Sequence, residues 1–305
     1  MKPINVLSLF DGMSCGQIAL ERVGIPIDKY FASEIKKSAI KCAKHNFPSI
    51  IHIGDVKQIY YKKGVLYTEF GEYEVDIDLL IGGSPCQDFS RIKVTSQGDY
   101  SYGLNGDKSS LFYEYLRIKK EIEECNNNLL FLLENVKMKK ESETELNEYL
   151  GVQGIHINSS LVSFQNRPRI YWSNIKFEIP EDRNISFQDY KERSGDLSNY
   201  KLKKSNLHDR YWMNGKGNNS AFGGCKNVTY AEKVQTLSRK QDRSPNSGLV
   251  ECDDYCRFLT RKELEMAQTV PIGYTSCVSY NQAQDLLGDG WTVDVIAHIF
   301  KNINE

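Results

Sequence analysis

The chain has 305 residues, 39 Lys and Arg against 40 Asp and Glu, a formal net charge of −1, and 40% hydrophobic residues. That is enough apolar material for one large or two modest domains, and it excludes wholesale disorder and an indiscriminate polycation. No stretch approaches the roughly 18 consecutive apolar residues of a membrane span, and Ile4 follows no basic-then-apolar leader. A cytoplasmic or nucleoid-associated protein with no membrane partner is expected.

In chain order, Asn5 to Phe10, Tyr30 to Ser33, Ile77 to Ile81 and Leu129 to Leu133 are short apolar runs bounded by turn or charged residues, the pattern of buried parallel strands. Gly16 to Val23, Lys36 to Asn46 and Leu111 to Glu123 carry amphipathic helical spacing between them. This alternation predicts an α/β fold with a doubly wound, mostly parallel sheet. Ser142-x-x-Glu145 and Thr260-x-x-Glu263 have the form of capping boxes and predict helix starts.

From about Glu178 the pattern gives way to Asn, Ser, Gly and Lys, and helical spacing returns at Arg261 to Ala267 and Thr292 to Phe300. The expected organisation is a main domain of residues 1–177 and 259–305 around a small loop-rich lobe of residues 178–258. Residues 201–243 carry a local charge of +7, which leaves −8 on the rest of the chain. One segment suited to an anionic polymer is thereby set apart from the remainder. The eight cysteines are too sparse for a disulfide scaffold, and Cys225, Cys252 and Cys256 lack zinc-ligand spacing, so no metal is expected.

Several segments along the chain carry chemistry. Phe10-Asp11-Gly12-Met13-Ser14-Cys15-Gly16 joins a strand to a helix, where glycines let a ligand approach the backbone and helix amides are free. Glu34 ends the second strand, a position suited to ribose hydroxyls, and Asp55 follows in Gly54-Asp55-Val56. An adenosine-containing cofactor fits this pattern, whereas the dinucleotide G-x-G-x-x-G run is missing. Gly82-Gly83-Ser84-Pro85-Cys86-Gln87 places a thiol in a strained turn at a sheet edge, where a nucleophile would sit. The glycine-containing segment 91–107 then reads as a lid. Glu134 emerges with Asn135 from an apolar strand, a carboxylate placed to share a proton. Gln165-Asn166-Arg167-Pro168-Arg169 reads as a strand with both guanidiniums on one face, suited to a phosphate or a base edge.

In this order, the Phe10 to Gly16 run, Pro85-Cys86-Gln87, Glu134-Asn135-Val136 and Gln165-x-Arg167-x-Arg169 resemble the motifs of the cytosine-5 DNA methyltransferases. The forms Ser8 to Gly12 and Gly288-Asp289-Gly290-Trp291 are similar to the de novo methyltransferase subgroup, with Asp289 where the family usually has Asn. The resemblance implies a Rossmann-like, S-adenosylmethionine-dependent enzyme that releases S-adenosylhomocysteine and acts on a flipped cytosine in double-stranded DNA. It implies catalytic roles for Cys86, Glu134, Arg167 and Arg169. Arg169 would hold the cytosine carbonyl, and Arg167 would organise Glu134 or a phosphate. Phe10, Asp11, Gly12, Gly16, Glu34, Asp55, Val56, Pro85 and Leu111 would hold the cofactor. Ser84, Gln87, Asn135, Gln165, Thr236 and Arg239 would serve the substrate, with residues 178–258 reading a short target site. A tRNA substrate and a catalytically silent DNA-binding subunit are the alternatives. A cognate restriction endonuclease is the partner such enzymes imply, and the expected state is a monomer or weak homodimer.

Overall fold

A computed structural model describes residues 2–84, 110–203, 226–241, 245–253 and 255–303. Pro85, Cys86, Gln87, the segment expected to form a lid, and residues 204–225 of the basic lobe lie outside the described residues. The chain divides into two compact units: residues 1–157, 168–179 and 296–305 form the first, and residues 158–167 and 180–295 the second.

The first unit is built on a seven-stranded sheet of order β3-β2-β1-β7-β8-β10-β9. Its strands are β1 (Ile4–Leu9), β2 (Ile27–Ser33), β3 (Ile51–Gly54), β7 (Leu79–Gly82), β8 (Leu130–Val136), β9 (Ile155–Asn158) and β10 (Pro168–Ser173). Pairing is parallel from β3 through β8, and β10 runs antiparallel to β8. Both faces of the sheet are covered because strand side chains alternate. Leu7, Leu9, Phe31 and Leu80 join one core with Ile118 and Ile122 of α3 (Ser110–Glu123) and Leu146 and Leu150 of α4 (Lys140–Leu150). Tyr30 and Ile81 point the other way, toward Gly16 of α1 (Cys15–Arg22), where an added Cβ would stand 2.3 Å from Ile81 Cδ1 and 3.0 Å from the Tyr30 hydroxyl. Helix α2 (Lys37–Asn46) links β2 to β3. The doubly wound expectation holds.

Strand order reverses between β1 and β7, so the turn after Leu9 and the turn after Gly82 leave adjacent strands at one carboxyl edge. Open α/β sheets bind their ligands at such a switch point.

The alternation predicted from sequence passes over a second sheet. Strands β4 (Tyr60–Lys62), β5 (Val65–Thr68) and β6 (Gly71–Glu74) form an antiparallel meander inserted between β3 and β7. Lys63 and Gly64 make its first turn, with φ 52° and 78°, the two left-handed residues of a type I′ hairpin. Tyr61, Leu66 and Val75 are buried under it, and its other side chains alternate toward solvent. That Lys-Gly pair between two tyrosine-rich runs is the signal that could have revealed it.

The second unit is larger than the lobe expected at residues 178–258, because the return segment packs there: Leu264, Ala267, Leu286 and Leu287 are buried within it. Its helices include α5 (Phe187–Tyr190), α6 (Arg261–Ala267) and α7 (Tyr280–Asp289), before α8 (Val293–Phe300) closes the chain. Strands β11 (Val250–Glu251) and β12 (Cys256–Arg257) pair antiparallel. Thr260 forms the predicted capping box with Glu263, and Ser279 forms another with Gln282 that was not foreseen. Ser142 does not cap: α4 begins earlier, with Lys139 at its N-cap, and Ser142 sits inside the first turn between Glu141 and Glu143.

Candidate active site

The site is built from the turns that leave the carboxyl edge of the first unit. Phe10, Gly12 and Ser14 all take left-handed backbone, with φ of 57°, 62° and 64°. For Phe10 and Ser14 this is a strained conformation that the surroundings must impose. They do so through Asp11, whose amide donates to the Ser33 carbonyl at 3.0 Å. The Asp11 carboxylate accepts from Tyr30 Oη at 2.8 Å and also from the Ser14 hydroxyl. Burial raises the Asp11 carboxyl to about 6, against the hydroxyl hydrogen bonds that hold it down, and the charge of Glu34 adds to the rise.

Glu34 lies across from this turn. One carboxylate oxygen accepts the Gly12 amide at 2.9 Å and the other accepts the amides of Ile35 and Lys36 at 2.8 and 2.7 Å. The carboxylate is therefore fixed in orientation by three backbone donors while staying only partly buried. Nothing lies within 4 Å of where a Cβ on Gly12 would stand, and Ser14 makes no side-chain cap on α1. Open space beside a glycine, a helix start without a side-chain cap from Ser14 and an oriented carboxylate together fit an amino-acid nucleoside such as S-adenosylmethionine. Asp55 caps the short helical turn Val56–Gln58 by accepting the Lys57 amide at 3.0 Å; Val56 is buried in the core, and Leu111 packs against the same core.

At the β8 side of this edge, Glu134 is 9% exposed and Arg169 Nε reaches its Oε1 at 2.9 Å. The pairing of β8 with β10 sets this up: Glu134 stands opposite Tyr171, so Arg169, two residues earlier, is its diagonal neighbour on the same face. Arg169 also donates to the Pro168 carbonyl at 2.8 Å. Asn135, on the other face of β8 and 1% exposed, donates to Ser84 Oγ at 3.1 Å. It thereby anchors the end of β7 two residues before Cys86. Glu134, Arg169, Asn135 and Ser84 are thus brought together in one unit.

Further expected site residues lie in the second unit. Arg167 precedes β10 rather than lying on it, so the two guanidiniums do not share a strand face. It is 3% exposed and donates to the carbonyls of Leu237, Gly288 and Gly290 at 2.8, 2.9 and 2.9 Å. These bonds make it a main-chain clamp within the second unit, and Arg169 pairs with Glu134 in the first. Gln165, expected to meet substrate, is fully buried: its amide oxygen accepts from Leu237 N and its nitrogen donates to Ala267 O and Gln268 Oε1. It is an internal brace. Thr236 donates to the Asn166 carbonyl at 2.7 Å and stays partly exposed. Arg239 Nε stands 3.6 Å from Asp289 Oδ2, with both side chains 45% exposed. No group of three or more metal-ligating side chains occurs among the described residues. No helix is long and apolar enough to cross a membrane, again among those residues.

A glycine turn, a strand-end carboxylate and a buried Glu-Arg pair around the switch point of a doubly wound sheet define a unit of the methyltransferase class. The model of the C-5 cytosine-specific DNA methylase family matches residues 4–305, and the chain belongs to that family. The orphan methyltransferase M.Rho11sI of Bacillus phage rho11s is 33% identical over 195 residues, 60% of this chain and 35% of that protein. M.SPRI of Bacillus phage SPR is 31% identical over 206 residues, 63% of this chain and 42% of that protein. The chain thus spans less than half the length of these two relatives. Type II methyltransferase M1.ScrFI of Lactococcus lactis subsp. cremoris is 28% identical over 99% of this chain and 78% of its own length. Among solved structures, the Entamoeba histolytica methyltransferase EhMeth superposes with a TM-score of 0.72 at 16% identity, covering 99% of this chain and 98% of that one. A putative DNA modification methyltransferase of an Escherichia coli prophage superposes with 0.70 at 18% identity, covering 98% of each chain. At these identities the likeness is one of fold.

Proposed function

We propose that this chain methylates carbon 5 of cytosine in double-stranded DNA, using S-adenosylmethionine and Cys86. The observation that carries the proposal is the buried Glu134–Arg169 pair standing beside Asn135, which fixes Ser84 and with it the entry to Pro85 and Cys86. A buried, oriented carboxylate beside the strand that leads in sequence to Cys86 suits a reaction that must first break the aromaticity of the ring.

Carbon 5 of cytosine is a poor nucleophile until a thiolate adds to carbon 6. The Cys86 sulfur forms that bond, and Glu134 offsets the electron density arriving at ring N3 by hydrogen bonding or proton donation. Arg169 keeps the Glu134 carboxylate in place and would meet the cytosine carbonyl oxygen. S-adenosylmethionine supplies the methyl group. Loss of the carbon 5 proton to water, with elimination of the Cys86 thiolate, restores the ring, and S-adenosylhomocysteine is released. Gly12, Ser14 and the α1 amides would hold the amino-acid end of the cofactor, Glu34 the ribose diol, and the Asp55–Val56 turn the base.

The target cytosine must leave the stack to react with a thiol, at a cost of about a few kcal/mol. Base reading falls to the second unit, where Thr236 and Arg239 are partly exposed or exposed and residues 201–243 concentrate positive charge. A cognate restriction endonuclease fits this activity as a partner, and cytoplasm or nucleoid as its place.

The test is transfer of labelled methyl from S-adenosylmethionine to mixed-sequence duplex DNA and to tRNA, with wild type and Cys86→Ala, followed by bisulfite sequencing of labelled DNA. Label on DNA that vanishes in the variant is the expected result. Label on tRNA alone would reverse the substrate, and cofactor binding without transfer to either would mark a silent subunit.

A further inference from the structure

The inserted meander has no part in the reaction described above, yet its second turn reaches the carboxyl edge of the sheet. β5 and β6 are joined by a two-residue turn, Glu69-Phe70, since Thr68 pairs with Gly71. The turn is locked by Thr68 Oγ1, which donates to the Gly71 carbonyl at 2.9 Å and accepts the Phe70 amide at 3.2 Å. Its Glu69 side chain folds onto the end of β3. An added Cβ at Gly54 would stand 1.7 Å from Glu69 Oε1 and 2.6 Å from its carboxyl carbon. The Asp55 amide donates to the same Oε1 at 3.2 Å. Gly54 itself has φ of +79°, a backbone that favours glycine, and the Glu69 carboxylate occupies the space beside it.

Two acids therefore meet at this strand end, and they are not equivalent. The Asp55 carboxylate caps its own helical turn through Lys57 N, pointing along the chain. The Glu69 carboxylate lies over Gly54, is exposed, and its Oε2 has no hydrogen-bond partner among the described residues. Phe70 beside it is 64% exposed, a largely open apolar ring at the tip of the turn.

We infer that Glu69 is a base-specificity residue for the cofactor: its carboxylate accepts a hydrogen bond from the exocyclic amine of adenine, while the Phe70 ring covers the base. The inference rests on the reading that the Asp55–Val56 turn receives the base. A carboxylate only accepts hydrogen bonds, and the adenine amine only donates them. A base carrying a carbonyl at that position, as hypoxanthine does, would set two acceptors against each other. A site built to bond an amine rejects the analogue lacking it, because a polar group is left unpaired.

Calorimetric titration of the full chain with S-adenosylhomocysteine and with its hypoxanthine analogue, S-inosylhomocysteine, tests this without turnover. Wild type is expected to prefer the adenine compound. Glu69→Ala and Glu69→Gln should weaken it by about tenfold, the scale of one hydrogen bond to a charged group, and should relieve the clash with the analogue and bind it more tightly, so that discrimination shrinks. Phe70→Ala should weaken both ligands alike. Discrimination that persists in both Glu69 variants, or that collapses only in Asp55→Asn, overturns the inference. Failure of wild type to bind S-adenosylhomocysteine at all overturns the cofactor reading beneath it, a separate and recognisable result. Glu69 lies on an exposed turn, so thermal melts of its variants should match wild type and keep a binding loss distinct from unfolding.

Discussion

Replacing Arg167 by Met separates a clamp from a reaction participant. The guanidinium bridges two distant segments of the second unit: it is 3% exposed and donates to three carbonyls. Gly290 O keeps a second donor in Gln268 Nε2 at 3.0 Å, so the substitution removes the Arg167 hydrogen bonds chiefly at the expense of Leu237 O and Gly288 O. A buried carbonyl left unsatisfied costs about 1–3 kcal/mol, so two cost about 2–6 kcal/mol, a large share of the roughly 5–15 kcal/mol that holds a typical domain together. The methionine chain fills most of the volume, which keeps a cavity from confusing the result. Urea titration followed by circular dichroism should show the midpoint falling accordingly. Calorimetry at low temperature should show S-adenosylhomocysteine affinity within about twofold of wild type, the scale of a few tenths of a kcal/mol, because the proposed cofactor residues lie in the first unit. A variant that keeps its urea midpoint yet loses methyl transfer would refute the clamp and restore Arg167 to the reaction.

Three further outcomes are expected. Arg257 and Glu263 form a fully buried, two-pronged ion pair at 2.8 and 2.9 Å, and Arg257→Met leaves the carboxylate with only the Thr260 and Glu192 amides; a loss of about 3–5 kcal/mol in urea unfolding is expected, and a loss under about 1 kcal/mol would sink this account. Asp11 titrates near 6 in the folded chain against the usual 3.8, so the folded state binds more protons in that window and stability falls as pH rises from about 4 to about 6; Asp11→Asn should flatten that slope in melting curves taken across it, and parallel curves for the two proteins would contradict the burial argument. Thr260→Ala should cost about 1 kcal/mol by removing a capping box, whereas Ser142→Ala, inside the first turn of α4, should be neutral or stabilising; equal effects of the two would show that the cap assignment is mistaken.

Much of the framework was legible before any coordinates because it depends on local pattern. Four apolar runs with helices between them require a parallel sheet with both faces covered, and Gly12, Gly16 and Glu34 occupy positions that backbone conformation and strand ends dictate. The Asn135 and Glu134 pair was visible as polar residues ending an apolar strand, though only register could say that one faces Ser84 and the other Arg169. The meander at β4–β6 escaped because its strands are three or four residues long and its tyrosines sit on both faces, leaving no clear period.

What the sequence by itself determined is the chemistry available: a thiol in a proline turn, a carboxylate at a strand end, glycines where a ligand must approach. Only the tertiary structure decided which of these groups act together. Arg167 and Arg169 are two residues apart and of one type, yet one is buried among carbonyls and the other faces a carboxylate, because the chain passes from one compact unit to the other between them. Spacing along the chain cannot encode that division, since it arises from long-range packing, in which residues more than a hundred positions apart, such as Gln165 and Gln268, are brought to hydrogen-bond distance.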